Sequence, residues 1–204
     1  MLYTITVAIL FVLLKLFFRL KIDGAENIPQ KGAFILASNH ASYLDPPILA
    51  VGCYDYNRGR KLNFLAKDEL FQNKLFGWYI TQLGAFPIKR NFGDISAIRE
   101  TIRRIKAGKP IVVFPEGERS PDGSIKEGFP GIALLAVKTK IPIIPAYIKG
   151  ADEVLSVKNK AFKPHKIYIK YGRPLIFYDK GPQSYTEITD KIMFAIKELA
   201  DSFK

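Results

Sequence analysis

The chain contains two histidines, His40 and His165, and one of them has a carboxylate nearby. His40 lies in the stretch Ser38-Asn39-His40-Ala41-Ser42-Tyr43-Leu44-Asp45-Pro46-Pro47. Asp45 follows it by five residues across a turn, close enough for the carboxylate to reach an imidazole nitrogen. Such a pair can work as a general base with an orienting group. Imidazole titrates near neutral pH, so the chain offers few other candidates for that base. The same residues also fit a loop histidine followed by a helix cap. By themselves they support the two readings equally.

A protein nucleophile is harder to find. No Gly-x-Ser-x-Gly elbow occurs. Ser38, Ser42 and Cys53 are near His40 in sequence, but nothing singles one out. Cys53 is the only cysteine, which excludes an intrachain disulfide and fits a reducing compartment. A lone thiol of this kind is more often a small core residue than a nucleophile. A base without a nucleophile suggests direct attack by a substrate hydroxyl. An acyl thioester is activated enough for that, and general-base help contributes roughly 10²–10⁴-fold.

Three further clusters sit at the ends of apolar runs. Gly84-Ala85-Phe86-Pro87-Ile88 ends on two cations, Lys89 and Arg90. Phe114-Pro115-Glu116-Gly117-Glu118-Arg119-Ser120 contains a glycine that permits a tight turn and projects Glu116 and Arg119. Lys67 follows another run. Arg90 and Arg119 suit bidentate phosphate binding, with Lys67 as a further phosphate ligand. Glu116 could accept a glycerol hydroxyl or hold the arginines. The plain alternative is a set of surface ion pairs, which contribute little. The proline-bracketed stretch 141–147 reads mostly as core strand. No cluster with metal-ligand spacing is visible, so no metal is expected.

The elements that must position these residues follow from periodicity. Apolar runs at 34–37, 62–66, 85–88, 111–114, 143–147 and 167–171 read as strands. Helical patterns lie between them. Asp94 can cap a helix whose apolar face is Ile95, Ile98, Ile102 and Ile105, and which Gly108 ends. Residues 132–137 are apolar all round, as in a buried helix. Ser184 and Glu187 form a capping-box pattern opening a helix with Ile188, Ile192, Ile196, Leu199 and Phe203 on one face. Asp45-Pro46 reads as a helix start, with Asp45 as cap. The whole is an α/β domain: a mixed, largely parallel central sheet flanked by helices. On that frame His40 sits at a strand end, where α/β sheets bind ligands.

The N-terminus adds a partner. Residues 2–14 are almost wholly apolar, and Lys15, Arg19 and Lys21 follow. A secretory signal carries its charge first and a cleavage site last, so this segment reads as retained. A span needs about 20 apolar residues, reached here only if Lys15 snorkels. The helix therefore lies in one leaflet or crosses with a tilt, unless it is a buried soluble helix. The trailing cations favour a cytoplasmic location for the rest. Residues 1–20 are expected to form this membrane-associated helix and 21–204 the catalytic domain. Lys and Arg number 31 against 19 Asp and Glu, a net charge of +12. That excess suits phosphorylated substrates and anionic membrane lipids. No nucleic-acid motif accompanies it, so nucleic acid is not an expected partner.

Taken in order, the four stretches resemble the glycerolipid acyltransferase family, particularly its bacterial 1-acylglycerol-3-phosphate acyltransferases. Asn39-His40 through Asp45 matches the family's NHxxxxD motif, and Gly84 through Arg90 its second. Phe114 through Ser120 matches FPEGTRS, except that Glu118 stands where threonine is usual. The stretch 141–147 resembles the fourth motif, and Lys67 fits a lysine common between the first two. The resemblance covers roughly residues 20–180.

It implies His40 as base and Asp45 as its partner. It implies a glycerol phosphate site built from Lys67, Arg90, Glu116, Gly117 and Arg119. The donor would be acyl-CoA or acyl-carrier protein, with no resident cofactor. The expected reaction acylates the sn-2 hydroxyl of lysophosphatidic acid to give phosphatidic acid, at the cytoplasmic face of the cell membrane. Glycerol 3-phosphate or another lysophospholipid is the alternative acceptor. A non-catalytic basic membrane-binding protein is the alternative of another class. Glu118, beside the phosphate site, is expected to point away from it.

Overall fold

The computed structural model describes residues 1–54, 59–88, 95–157, 162–177 and 184–203. It is an α/β fold with one seven-stranded sheet in the order β1-β7-β6-β2-β5-β3-β4. The strands are β1 Lys21–Asp23, β2 Ile35–Ser38, β3 Asn63–Lys67, β4 Ala85–Ile88, β5 Ile111–Val113, β6 Ile143–Lys149 and β7 Tyr168–Tyr171. β2 to β6 run parallel to one another; β7 is antiparallel to β6 and carries β1 parallel to itself. The sheet is thus mixed and largely parallel, as the periodicity predicts. The six expected strands are present within a residue or two at each end. β1 was not foreseen: its three residues, Lys-Ile-Asp, offer no apolar run.

The helices are α1 Leu2–Phe18, α2 Asp45–Tyr54, α3 Lys74–Gln82, α4 Ile95–Lys106, α5 Gly131–Thr139, α6 Ala151–Val154 and α7 Tyr185–Asp201. Two apolar clusters lie on the two faces of the sheet. One joins Leu36, Val112 and Ile144 of the strands to α1, α2 and α6. The other joins Ile35, Ile111 and Ile143 to α4, α5 and α7. Alternation along each strand sends odd and even residues to opposite faces, which is why neighbours such as Ile35 and Leu36 divide between clusters. Ser184 caps α7 by accepting from the Glu187 N–H at 3.1 Å, as its sequence pattern predicts. The cap assigned to Asp94 lies outside the described residues.

α1 is not free of the domain. Tyr3, Val7, Leu14 and Phe18 are buried in the first cluster, while Ile5, Ile9, Val12, Leu13, Leu16 and Phe17 are exposed. At about 1.5 Å per residue its 17 residues fall short of a hydrocarbon core roughly 30 Å thick. Among the described residues no helix is long and apolar enough to cross a membrane. The tilted crossing entertained from sequence therefore has no support. What remains is a helix with one face in the core and an apolar face outward.

Candidate active site

The site begins where adjacent strands part. β2 leads into α2 on one face of the sheet, and its neighbour β5 leads on to α5 on the other. Connections diverging from adjacent parallel strands open a crevice at their C-terminal ends, the usual ligand site of such sheets. The loop after β2 carries His40 and the loop after β5 carries Glu116, Gly117 and Arg119.

The first loop is anchored by Asn39. Its side-chain amide donates to the Ile148 carbonyl at 3.0 Å, and its oxygen accepts the Ile148 N–H at 2.8 Å. This buried amide acts as one more rung of the β2–β6 ladder. His40 comes next, with Nδ1 2.7 Å from Asp45 Oδ2. Its ring stacks on Phe114, with centroids 3.9 Å apart and planes 15° from parallel. A carboxylate can only accept, so Nδ1 carries the hydrogen, and in the neutral ring it is Nε2 that holds the lone pair. The contact fixes the tautomer of a base; the stacked ring fixes its plane.

Asp45 does not cap its helix, contrary to the expectation from Asp45-Pro46. Its Oδ2 turns back to accept the N–H groups of Ala41 and Ser42, both at 2.8 Å, as well as His40. The reason lies in its neighbours. Pro46 and Pro47 bring no N–H to the first turn, so fewer donors there need a side-chain cap. The carboxylate is 1% exposed, and its Oδ1 is buried without a hydrogen-bond partner. Three donors thus converge on the oxygen that faces the imidazole.

The second loop is locked to the first. Glu116, also 1% exposed, accepts the His40 N–H on Oε1 and the Lys126 N–H on Oε2, both at 2.9 Å. The Ser120 N–H donates to the His40 carbonyl at 2.7 Å. Main-chain groups on both sides of the histidine are therefore held by the loop after β5. Burial raises the Glu116 carboxyl above its ordinary value, and the two N–H bonds oppose that shift. Gly117 turns at φ 71°, in the left-handed region, and a Cβ there would meet the Phe129 ring at 2.9 Å. Arg119 lies over Tyr43, with its guanidinium carbon 3.7 Å from the ring centroid. Tyr43 is a participant outside the motif positions, and Asn39 and Phe114, though within the motifs, carry roles that the sequence does not spell out. An aromatic within the spacer of a histidine motif was the one available signal.

Lys67 ends β3, half-buried, at the same edge of the sheet. Lys89 and Arg90, beyond the end of β4, lie outside the described residues. Glu118 is exposed and does not simply point away: it pairs with Lys126 Nζ at 2.7 Å. That pairing answers the charge it brings to a cationic loop. His165 pairs with Glu153 at 3.2 Å and is about half exposed.

The nucleophiles left open by the sequence are engaged elsewhere. Ser42 Oγ donates to the Leu155 carbonyl at 3.0 Å and accepts the Leu44 N–H at 3.2 Å. Ser38 Oγ is buried against Asn39 Oδ1 at 3.3 Å. Cys53 is fully buried beside Tyr171, and burial pushes its thiol up to about 12, far from a thiolate at neutral pH. A base with its orienting carboxylate, cationic neighbours and, among the described residues, no competing nucleophile can activate the hydroxyl of an anionic acceptor.

Known proteins share this arrangement of sequence and fold. Residues 19–149 match the profile of the Acyltransferase family. The chain is 32% identical over 184 residues to a Bacillus subtilis 1-acyl-sn-glycerol-3-phosphate acyltransferase, covering 88% of this chain and 87% of that one. It is 30% identical to the Streptococcus pneumoniae protein of the same name over 76% of this chain and 55% of that one. The crystal structure of the 1-acyl-sn-glycerophosphate (LPA) acyltransferase PlsC from Thermotoga maritima superposes with a TM-score of 0.79 at 28% identity, covering all of this chain and 78% of the other. Family profile, relatives and fold agree with the four ordered stretches: the chain belongs to the acyltransferase family, among its glycerolipid acyltransferases.

Proposed function

We propose that the protein transfers a fatty acyl group from acyl-CoA or acyl-carrier protein to the sn-2 hydroxyl of 1-acylglycerol 3-phosphate, making phosphatidic acid for phospholipid synthesis. The observation that carries this reading is the 2.7 Å contact between His40 Nδ1 and Asp45 Oδ2 at a strand end. Nε2 of His40 takes the proton of the acceptor hydroxyl as its oxygen attacks the thioester carbonyl. The tetrahedral intermediate then collapses, the C–S bond breaks, and the proton passes from the imidazolium to the departing thiolate. Asp45 orients the ring and stabilises the imidazolium. Arg119, with Lys67 and Arg90, binds the acceptor phosphate. Gly117 lets main chain approach the glycerol unit, and Glu116 belongs to the same subsite by holding His40. The names of the relatives in Bacillus subtilis and Streptococcus pneumoniae support this acceptor over other lysolipids.

The same reading places the chain at the cytoplasmic face of the cell membrane. Residues 1–20 are the membrane-associated element and 21–204 the catalytic domain. The exposed apolar side of α1 lies in one leaflet, and the net charge of +12 favours anionic lipid over nucleic acid. The test is an acyl-transfer assay on purified protein with both donor types. Lysophosphatidic acid, glycerol 3-phosphate and lysophosphatidylcholine compete as acceptors. The expected product is phosphatidic acid. Preferential acylation of either competitor would replace the acceptor assignment, and binding without transfer would point to a non-catalytic membrane protein.

A further inference from the structure

α3 is a helix turned inside out. Of its nine residues, Lys74–Gln82, only Gly77 is buried. Leu75, Phe76 and Trp78 are 75%, 47% and 56% exposed. At 3.6 residues per turn these three and Tyr79 share one outward arc, with Gly77 opposite. The helix is nevertheless well specified. Asn73 caps it by accepting the Phe76 N–H at 3.0 Å. Gly77 sits directly on the main chain of Phe71, where a Cβ would come within 3.0 Å of Cα and 3.1 Å of the carbonyl oxygen. A soluble surface helix places polar residues on its outer arc, and this one places its largest apolar side chains there.

Topology assigns α3 a face. α2 joins β2 to β3, and α3 joins β3 to β4. Both connections advance the same way along the sheet order. Right-handed crossovers in one direction lie on one face, so α3 shares a face with α1 and α2. Leu83, just after α3, packs into the cluster that holds the buried side of α1. Tyr3 of α1 reaches the same corner, where its Oη accepts the Leu62 N–H at 3.4 Å. Lys61, one residue earlier, donates to the Gln82 carbonyl at the end of α3 at 3.0 Å. The outward apolar sides of α1 and α3 therefore belong to one surface. Lys74 opens α3 and Lys67 precedes it at the end of β3, and Lys15 and Arg19 lie on or just after α1, against Asp68 and Glu69. Cations dominate this rim.

We infer that α3 is a second membrane-docking element, inserting Leu75, Phe76 and Trp78 into the interface of an anionic bilayer alongside α1. The inference rests on the membrane-facing reading proposed above and extends it from one helix to two. Aromatic and aliphatic side chains rimmed by lysines fit the headgroup boundary, where tryptophan is favoured. Two elements hold the sheet edge at a fixed tilt, which one helix lying in the plane cannot do.

Trp78 is the only tryptophan of the chain, so its fluorescence reports α3 alone. The intact protein is titrated with vesicles of phosphatidylglycerol and phosphatidylethanolamine, and with phosphatidylcholine vesicles for comparison. Sedimentation follows binding, and Trp78 emission follows insertion. The expected result is a blue shift, with quenching by lipids brominated in their acyl chains, stronger on the anionic vesicles. The double variant Leu75→Ser/Phe76→Ser should partition at least about ten-fold more weakly, with an unchanged circular dichroism spectrum. Protein that sediments with vesicles while Trp78 emission stays unchanged overturns the α3 inference and leaves the α1 reading standing. Protein that does not sediment overturns both. A shift that appears without lipid as protein concentration rises, or with acyl-carrier protein alone, assigns the surface to a protein partner and overturns the inference as well.

Discussion

Replacing Glu116 by glutamine separates two roles that its motif position allows. In the structure both of its oxygens accept main-chain N–H groups, from His40 and from Lys126. Glutamine keeps one acceptor and turns the other into a donor. One buried N–H then faces an NH₂ group, at a cost of about 1–3 kcal/mol. Glutamine also removes a carboxylate that burial disfavours, which offsets part of that cost. The net loss should fall in the lower half of the range. For a chain of this length, at about 2–4 °C per kcal/mol, the melting temperature should drop by about 2–8 °C.

The catalytic effect follows from the same bonds. Freeing the His40 main chain loosens the base, and misplacement by an ångström can cost about 10²-fold. Glu116→Gln should lower kcat about 10- to 100-fold while leaving KM for the acceptor within about two-fold. The pH dependence has a definite sign. The folded-state carboxyl is raised above its ordinary value of 4.5, so its contribution is fully present below that value and fades as pH rises through the raised one. Glutamine does not titrate. The stability gap between wild type and variant should therefore narrow from acid towards neutral pH. Differential scanning calorimetry across pH, paired with steady-state kinetics, measures all three effects. If KM for the acceptor rose sharply while kcat and melting temperature held, Glu116 would touch the acceptor and the clamp argument would fail.

His40→Ala should lower transfer by roughly 10²–10⁴-fold with melting temperature nearly unchanged, and near-normal turnover would sink the base assignment. Asp45→Ala should do worse in stability than His40→Ala, because it leaves the Ala41 and Ser42 N–H groups unpaired at about 1–3 kcal/mol each; urea unfolding reads the difference. Gly117→Ala should destabilise the fold by about 1–2 kcal/mol, since an L residue is strained in that turn, and chemical denaturation checks it. The Cys53 thiol, pushed up to about 12, should resist alkylation in the native protein at pH 8 and react fully in denaturant; fast native labelling would contradict its burial.

The sheet was readable because its strands are fully buried apolar runs. Residues 35–38 and 143–146 are buried on both faces and read as unbroken hydrophobic stretches, the mark of parallel strands under helices. β1 was not readable, since its pairing partner β7 is far away in sequence and its own residues are charged at both ends. α3 had a cap at Asn73, but its period was hidden: its apolar residues face out and its contact residue is a glycine. Patterns that assume an apolar inner face miss a helix whose apolar side serves something other than the core.

The histidine pair was legible as types and spacing, yet what makes it a site is main chain that no motif spells out. Asp45 reads as a cap from sequence, and only the missing N–H groups of Pro46 and Pro47 explain why its carboxylate can turn to His40 instead. Glu116 reads as a ligand, and the fold turns it into a brace between two loops. Both carboxylates are buried, and both accept N–H groups of the histidine's own loop. Each pays for its burial by fixing that loop, so the motif residues are coupled: loosening one should loosen the other. A double-variant cycle on Glu116→Gln and Asp45→Asn should therefore be less than additive in kcat, because either change alone already releases His40. Strict additivity would mean that the two carboxylates act on the reaction independently, and the brace would then have no part in catalysis.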